Sequence, residues 1–349
     1  MTQPQTAFEQ STRASVQQGG FICVNKPSGI TSFDVIRELR RSLRIRKMGH
    51  SGVLDRPAEG LLVVGVNHAT RLFELFSGFE KEYSADIWLG LATATDDLVG
   101  ELIEARDPAA ITREQFEQAA LGFLGSFDQM PPAFSLTKLA GREMYRYALA
   151  GQEVEVAPKR VELLSLRVSA FETGIAPADA LASLGPIAAE SRLADKLDAL
   201  PPLCRARVEI RCRGGFYVRS LARDCGRGLG VLGTMGRLTR TRVGPFSLDQ
   251  AVSLARAEEC GPEGAEQILL PLSSIAPPDA RLTLDATQLT MVRNGRSIRS
   301  FRQHLPAAAL EPEALLYGLD GRGELAAVLT LGENLPTGLV ELRPVKVVG

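Results

Sequence analysis

One histidine and one aspartate lie among three glycines and a proline in residues 49–60, GHSGVLDRPAEG. This glycine content predicts a tight loop whose shape is set by the backbone. The apolar run at residues 61–66 follows directly and predicts a short strand buried on both faces. An aspartate on such a loop, Asp55, can act as a nucleophile or a base, and it can equally accept hydrogen bonds from turn amides. The loop alone leaves both interpretations open.

Residues 81–90 alternate between apolar and polar side chains, which predicts a strand with one face toward the interior. Tyr83 falls on the apolar face, where its hydroxyl needs a polar partner, so it is either a core tyrosine or a site residue. Residues 216–219 offer a second pair. If the backbone there is extended, Tyr217 and Arg219 share a face.

The segment at residues 131–138, PPAFSLTK, is predicted to be irregular because proline interrupts helices and strands. It presents an aromatic ring, the Ser135 hydroxyl and the Lys138 ammonium group. This combination suits contact with a ligand or a nucleic acid.

The chain has 349 residues, 45% hydrophobic and 23% charged, which is typical of a globular protein with a substantial core and more than one domain. Its longest apolar runs are too short to span a bilayer. Residues 1–19 are polar and lack the apolar stretch of a secretory signal, so they predict a disordered tail. We expect a cytoplasmic protein without membrane contact.

Cysteine and histidine are not spaced for metal binding. The five cysteines form no CxxC pair and are odd in number, which favours reduced thiols. The three histidines are scattered. Residues 228–233 match the dinucleotide pattern GxGxxG but follow a predicted helix where a strand is required. We expect no metal and no nucleotide cofactor.

Positive charge is concentrated in two clusters, although the formal net charge is only −1. The first cluster comprises Arg37, Arg40, Arg41, Arg44, Arg46 and Lys47. The second comprises Arg205, Arg207, Arg211, Arg213, Arg219, Arg223, Arg227, Arg237, Arg240 and Arg242. Such clusters indicate either a polyanion bound on one face or two solvated arginine-rich faces.

The remaining pattern predicts strands and helices followed by a small β-rich module. The early elements are a strand at 20–25, a helix after Thr31 with Phe33 among its apolar positions, and a helix after the capping box at Thr112. Residues 172–203 are interpreted as an insertion with partial helix, and residues 262–278 as a linker. From about residue 281 the pattern changes to one short helix and several strands.

Six segments together resemble the TruB family of pseudouridine synthases. The glycine loop is similar to the family pattern GHTGxLDPxAxG. The others, in chain order, are residues 26–32 (KPxGxTS), 81–83 (KxY), 131–145 (PPx[YF]SAxKxxGxxxY), 215–219 (GxY[IV]R) and 238–246 (LxRTxxGxF). Six motifs in the family's order are a specific signal.

The resemblance implies an α+β protein with the pseudouridine synthase fold, in which a mixed, mainly antiparallel sheet forms a catalytic domain over residues 20–278. A small, β-rich, PUA-like RNA-binding domain over residues 279–349 would follow. The implied reaction converts the T-loop uridine of tRNA, position 55, to pseudouridine without a metal or organic cofactor. A monomer that binds the tRNA T-arm is expected.

The same match implies roles for eight side chains. Asp55 matches the catalytic carboxylate, Arg219 the arginine that pairs with it, and Tyr83 the tyrosine that stacks on the target base and can remove its C5 proton. The implied substrate or RNA contacts are Tyr217, His50, Lys26, Lys138 and Ser135. Asp55 would attack the sugar or the base, or remove a proton on a glycal route. These routes stay open.

The glycine loop departs from the family pattern beside the aspartate. Arg56 stands in place of proline, Pro57 in place of leucine, Glu59 in place of threonine and Ser51 in place of threonine. The acidic element TDTxD keeps only its last aspartate in register, Asp97. One alternative is therefore an RNA-binding or RNA-folding protein of the same fold with reduced turnover. Another is the same chemistry on a different RNA, as in the related guide-RNA enzymes. The intact aspartate, tyrosine and arginine favour an enzyme over a binding protein. A long chain with its own C-terminal module and no lysine-rich tail favours the stand-alone tRNA enzyme over the guide-RNA type.

Overall fold

The computed structural model describes residues 19–135, 137–139, 141–152, 154, 156–307, 314–335 and 338–348. The tail predicted to be disordered lies outside these ranges except for Gly19. Two sheets organise the described chain, a ten-stranded sheet in the first part and a five-stranded sheet near the C-terminus.

The ten-stranded sheet is mixed. In chain order the strands of this region are β1 (Gly19–Lys26), β2 (Met48–His50), β3 (Glu59–Asn67), β4 (Lys81–Leu89), β5 (Leu91–Thr93), β6 (Leu102–Ala105), β7 (Gly125–Gln129), β8 (Lys138–Leu139), β9 (Arg142–Glu143), β10 (Lys159–Ile175), β11 (Leu203–Cys212), β12 (Gly233–Val243), β13 (Phe246–Ser247) and β14 (Val252–Ser253). The order is β14-β1-β3-β12-β4-β11-β10-β7, with β2 beside β3 and β13 beside β12, while β5–β6 and β8–β9 are separate hairpins. The β1–β14 and β3–β12 contacts are parallel and the others antiparallel, as predicted.

Seven α-helices pack around the sheets within the described ranges. They are α1 (Ser32–Leu43), α2 (Arg113–Leu121), α3 (Met144–Leu149), α4 (Pro177–Ala182), α5 (Val218–Gly228), α6 (Leu254–Gly264) and α7 (Ala286–Arg293). α2 begins after the predicted capping box at Thr112. For α1 the sequence offered Thr31 or Ser32 as the N-cap, and the structure has Thr31, in a capping box with Asp34. The prediction that Phe33 lies on the buried face of α1 is wrong. Phe33 is 62% exposed, because the buried stripe runs through Val35 and Leu39.

β3 is an interior strand of the sheet, and its apolar side chains find partners on both faces. Leu61 packs with Phe21 beside the 3₁₀ helix His68–Ser77, and Leu62 packs against α1 on the other face. Gly60 at its start has a φ of +100°, and a Cβ there would come within 2.4 Å of the Arg240 carbonyl oxygen. Glycine therefore allows β12 to approach β3 at the point where the glycine loop ends.

Residues 176–202, between β10 and β11, form what we call the insertion segment. It contains α4 and the 3₁₀ helices Gly185–Glu190 and Ala194–Ala199, so the predicted partial helix is confirmed. Apolar side chains of the segment, among them Ile187 and Leu193, pack on Trp88 and Leu98. The insertion segment is therefore built into the side of the main sheet.

The C-terminal sheet has the order β15-β17-β18-β19-β16. Its strands are β15 (Arg281–Thr283), β16 (Ile298–Phe301), β17 (Leu315–Leu319), β18 (Leu325–Asn334) and β19 (Leu339–Val347). The predicted linker at 262–278 is wrong, because this stretch packs in the core. Leu272 and Ile275 are buried and belong to an apolar cluster that also contains Phe21 and Tyr317. No helix of the described residues is long and apolar enough to cross a membrane.

Candidate active site

Asp55 lies in the loop between β2 and β3, and its side chain is 39% exposed. We call residues 51–58 the Asp55 loop. Ser32 Oγ, at the start of α1, accepts a hydrogen bond from Leu54 N at 2.9 Å and donates to Leu54 O at 3.2 Å. Ala58 N donates to Asp55 O at 3.1 Å. These bonds to α1 and within the loop hold the backbone on both sides of the carboxylate.

Arg219 lies opposite Asp55 and is almost fully buried. Its Nε is 2.9 Å from Asp55 Oδ2, oriented so that the contact is an ion pair without a well-directed hydrogen bond. Nη1 donates to Thr95 O and Nη2 to Phe134 O, both at 2.9 Å. Two main-chain carbonyls therefore fix the guanidinium plane, and the carboxylate has a rigid positive charge beside it.

The strand predicted at residues 216–219 is wrong. Tyr217 is the N-cap of α5, and Arg219 lies in the first turn of that helix. Val218 and Leu221 turn into the core and anchor the helix. Arg219 thus reaches Asp55 from a helix end, and the alternation assumed from the sequence plays no part.

A cleft of about 330 Å³ opens on the Asp55–Arg219 pair. Five of the eight predicted site residues line it: Asp55, Tyr83, Ser135, Tyr217 and Arg219. The other charged lining residues are Lys81, Lys159 and Arg240, so Asp55 is the single carboxylate among the described residues of the lining. The cleft therefore combines one partly exposed carboxylate with a cationic wall suited to an anionic ligand.

Tyr83 enters the cleft from β4, where its neighbours in register are Ile210 on β11 and Arg240 on β12. Burial raises the pKa of Tyr83 to about 12, and the nearby Arg240 guanidinium opposes this shift. The hydroxyl is therefore protonated at neutral pH. Its ring gives the cleft a flat apolar surface on which a base can stack.

Arg240 is a site residue that the motifs did not single out. Its side chain is fully buried, with Nε donating to Leu61 O at 2.8 Å, Nη2 to Gly52 O at 3.1 Å and Nη1 to Val53 O at 3.4 Å. Burial lowers its pKa from the ordinary arginine value, while the neighbouring Tyr83 and Asp55 counteract that effect. Arg240 therefore holds the Asp55 loop from the protein interior, through the carbonyls of Gly52 and Val53. The available signal was its place in the LxRT motif.

Hydrogen bonds hold Tyr217 at its hydroxyl and at its backbone. Its hydroxyl is 3.1 Å from Thr137 Oγ1, which accepts a hydrogen bond from Lys159 Nζ at 3.0 Å. Its backbone N donates to Gln129 Oε1 at 2.8 Å, and its carbonyl accepts from Gln129 Nε2 at 3.0 Å. Ser135 is buried in the same wall of the cleft. The side chain of Lys138 lies outside the described part of the structure.

His50 is at the end of β2, paired with Val64, and is not among the described residues that line the cleft. Burial, reinforced by Arg240, lowers its pKa, so the imidazole is neutral at pH 7. Its buried Nδ1 has no hydrogen-bond partner among the described residues.

Lys26 does not have the exposed position expected of a substrate contact. It is fully buried beneath the Asp55 loop. Its Nζ donates to Pro27 O at 2.9 Å, to Ile30 O at 2.7 Å and to Arg56 O at 3.4 Å. These carbonyls use all three ammonium protons. The structure corrects the prediction, because Lys26 positions the loop from inside the protein.

The stability of the protein should depend on pH through Lys26. Burial lowers its pKa to about 8, from 10.5 in an unfolded chain, so between these values the unfolded state binds more protons. The contribution of Lys26 to the free energy of unfolding therefore rises with pH across this window, as folding ceases to bury a charge. Urea titrations below about pH 8 and above pH 10.5 should show that the free energy of unfolding of wild type increases relative to that of Lys26→Met. Exposed Lys196→Met should show a constant difference, and a constant difference for Lys26→Met would contradict the shift.

The second arginine cluster is not a free basic face. Acidic side chains on neighbouring strands and loops form ion pairs with most of it: Arg205–Glu172, Arg207–Asp86, Arg211–Glu80, Arg213–Glu162, Arg223–Asp96, Arg237–Glu59 and Arg242–Glu82. In the first cluster, Arg44, Arg46 and Lys47 are exposed and form no ion pair with a described carboxylate. Polyanion contact is therefore best supported at residues 44–47.

All five cysteines are free. Within the described ranges, no three His, Cys, Asp or Glu side chains are grouped so that they could hold a metal ion.

Comparison with known proteins shows the family of this chain. Residues 40–184 match the model of the TruB family pseudouridylate synthase N-terminal domain, and residues 219–275 match that of the tRNA pseudouridylate synthase B C-terminal domain. A tRNA pseudouridine synthase B of Mycobacteroides abscessus is 35% identical over 94% of this chain and 98% of its own. Another, of Leifsonia xyli, is 37% identical over 89% and 95%. The chain belongs to the TruB family of pseudouridine synthases.

Solved structures support the fold of this TruB-family chain. A chain of a Cbf5–Nop10–Gar1 complex superposes with a TM-score of 0.66 at 20% identity, covering 97% of this chain and 87% of that chain. A chain of an archaeal box H/ACA Nop10–Cbf5 complex gives 0.62 at 18% identity, covering 97% and 88%. The predicted α+β pseudouridine synthase fold with a small PUA-like, β-rich C-terminal part is confirmed.

Two of the residues that depart from the TruB pattern, Arg56 and Glu59, have side-chain partners, whereas the buried Ser51 hydroxyl has none among the described residues. Arg56 forms an ion pair with Glu190. Glu59 accepts from Arg237 Nε at 2.7 Å and from Thr239 Oγ1 at 3.0 Å. Asp97 accepts from Thr95 Oγ1 at 2.6 Å and from Val99 N at 3.1 Å, so it stabilises the turn whose Thr95 carbonyl holds Arg219. Arg56, Glu59 and the retained Asp97 therefore belong to bonded networks near the Asp55–Arg219 pair.

Proposed function

We propose that this protein converts the T-loop uridine of tRNA, position 55, to pseudouridine, with Asp55 as the catalytic carboxylate. The observation that carries the proposal is the Asp55–Arg219 pair in the cleft. The carboxylate is accessible, and its counter-ion is anchored to two main-chain carbonyls. A rigid counter-ion orients the carboxylate toward a substrate without a hydrogen bond that the reaction would have to break.

The target nucleotide has to leave the T-loop stack to reach Asp55. Flipping a nucleotide costs a few kcal/mol, roughly, and stacking on aromatic side chains offsets part of this cost. Tyr83 lies in the cleft beside Asp55 and provides such a surface, and Tyr217 offers a second ring held by Thr137 and Gln129.

The reaction breaks the N1–C1′ bond, turns the uracil and joins C5 to C1′. The base loses its C5 proton and gains one at N1, so the atoms balance without a cofactor. Asp55 can attack C1′ or the base, or remove a ribose proton on the glycal route; each use requires the ionised carboxylate. We assign removal of the C5 proton to Tyr83. Because its pKa is raised to about 12, its hydroxyl must pass its own proton to solvent as it takes the C5 proton, and solvent returns a proton to N1. Arg240 stabilises the phenolate character that develops.

RNA binding then involves more than the cleft. The free cations at residues 44–47 lie just before β2 and offer contacts to T-arm phosphates, and His50 at the end of β2 would contact the loop nucleotides. We further propose that the C-terminal five-stranded sheet is an RNA-binding module and that the protein acts as a monomer in the cytoplasm, where tRNA is modified.

Tritium release from a tRNA transcript with C5-tritiated uridine tests the proposal. We expect one equivalent released per tRNA, because only the T-loop uridine exchanges its C5 hydrogen. Tight tRNA binding without any release would instead identify an RNA-binding protein of the same fold.

Arg219→Ala should lower kcat by about 10²–10³-fold and change the Kd for tRNA by less than about threefold, because the guanidinium acts on the carboxylate and not on phosphates. Single-turnover rates and filter binding measure the two effects separately. Arg227→Ala, an exposed change on the same helix, should alter neither. Equal losses of rate and affinity for Arg219→Ala would make Arg219 a phosphate contact.

A further inference from the structure

The insertion segment reaches the residue next to Asp55. Glu190 forms a two-pronged ion pair with Arg56, with Nη1–Oε2 at 2.5 Å and Nη2–Oε1 at 2.7 Å. The remaining donor of the guanidinium, Nε, donates to Gly29 O at 2.8 Å. One side chain therefore joins three parts of the chain: the Asp55 loop, the turn after β1 and the insertion segment.

The backbone of Arg56 is held as well. Its carbonyl accepts from Gly29 N at 2.9 Å and lies 3.4 Å from Lys26 Nζ. The TruB pattern has proline at this position, and a proline ring restricts φ by itself. Arginine lacks that restriction. The two-pronged ion pair with Glu190 instead restrains Arg56 from outside the loop.

The residues that follow Glu190 in the insertion segment are themselves hydrogen-bonded to the main sheet region. Ser191 Oγ donates to Leu98 O at 2.5 Å, and Arg192 N donates to Val99 O at 3.2 Å. Leu98 and Val99 follow closely after Thr95, whose carbonyl accepts a hydrogen bond from Arg219. Residues 190–192 thus contact both the Asp55 loop and the turn that holds Arg219.

We propose that Glu190 is a positioning residue for Asp55, acting through Arg56 to hold the loop in its reactive geometry. This inference rests on the pseudouridine synthase activity proposed above. The two side chains are 51% and 42% exposed. Exposed ion pairs have modest effects, and bidentate arginine–carboxylate pairs are at the upper end, so the expected effect of breaking this pair is about 3–10-fold.

Glu190→Gln tests the proposal because it preserves shape and removes the charge. We expect kcat to fall about 3–10-fold while KM for tRNA is unchanged or lower, since the uncovered Arg56 attracts phosphates. Arg56→Gln in the same background should cause no further loss, because the two residues act as one unit. Glu101→Gln is the matched control. It breaks the Lys196–Glu101 pair of the insertion segment, at 3.7 Å, and should leave kcat unchanged.

A lower KM with unchanged kcat would overturn the proposal, since Glu190 would then merely compete with RNA for Arg56. Additive losses from the two substitutions would overturn it as well.

Hydrogen exchange on the free protein separates this inference from the proposed reaction. Gly29 N and Ala58 N bond to the carbonyls of Arg56 and Asp55, so their amides report the order of the loop. In Glu190→Gln both should exchange about 3–10-fold faster than in wild type, and in Glu101→Gln at the wild-type rate. Unchanged exchange in Glu190→Gln would refute the positioning role whether or not the protein turns over tRNA. Absence of wild-type turnover with faster exchange would refute only the proposed reaction.

Discussion

Asp55→Asn should lower the single-turnover rate of uridine isomerisation by at least about 10⁴-fold, with the Kd for tRNA within about threefold of wild type. The amide is the same size as the carboxylate but can neither attack carbon nor accept a proton as the carboxylate does. The site should keep its shape, because Arg219 remains bonded to the carbonyls of Thr95 and Phe134. Tritium release with enzyme in excess over tRNA measures the rate without product release.

Asp128→Asn is the control for this substitution. Asp128 lies on β7 with its side chain 60% exposed, and its replacement should leave the rate unchanged. If Asp55→Asn releases tritium as fast as wild type, Asp55 is only a turn residue.

Arg240→Met should destabilise the protein and disable the site together. The substitution leaves the carbonyls of Leu61, Gly52 and Val53 without their buried donor. Loss of a buried charged partner costs about 3–5 kcal/mol in free energy of unfolding. Because the same carbonyls shape the Asp55 loop, a displacement on the order of 1 Å would also lower the rate about 10²-fold. Urea unfolding and single-turnover kinetics measure the two effects.

Arg242→Met, two residues along β12, is the matched control. Arg242 is 45% exposed and 3.5 Å from Glu82, so its loss should cost less than about 1 kcal/mol. Arg240→Lys should be intermediate in both measurements, since an ammonium group cannot reproduce the guanidinium fork. Wild-type stability and rate in Arg240→Met would show that the loop holds its shape without Arg240.

Local patterns predicted most of the elements that position the site. The buried strand after the Asp55 loop, the alternation that turns Tyr83 inward and the helix cap near Thr31 are each encoded within a few residues. Their structural counterparts are β3, β4 and the start of α1. The motifs also brought Asp55 and Arg219 together as a pair, which the ion pair in the structure matches.

The errors share a physical cause, since each depended on contacts between distant residues. Four residues around Tyr217 fit the end of a strand as well as the start of a helix, and packing of Val218 and Leu221 decides for the helix. A lysine in a motif gives no sign of whether it is exposed, and Lys26 is buried beneath the Asp55 loop, where its Nζ donates to Arg56 O, 30 residues away. The acidic partners of the second arginine cluster come from other strands, so the sequence suggested a free basic face.

The same limit applies to Arg56. As a departure from the family motif it suggested an altered site. Its partner Glu190 is 134 residues away, in the insertion segment. Periodicity could not have connected the two.

Mapping the modified nucleotide tests the central claim most directly. A tRNA transcript incubated with the protein is cyanoethylated, digested and analysed by mass spectrometry, which locates each pseudouridine. With wild type we predict pseudouridine at position 55 of the T-loop in every molecule and at no other uridine, and with Asp55→Asn none at any position. Modification at a different uridine, or at position 55 by both proteins, would contradict the claim.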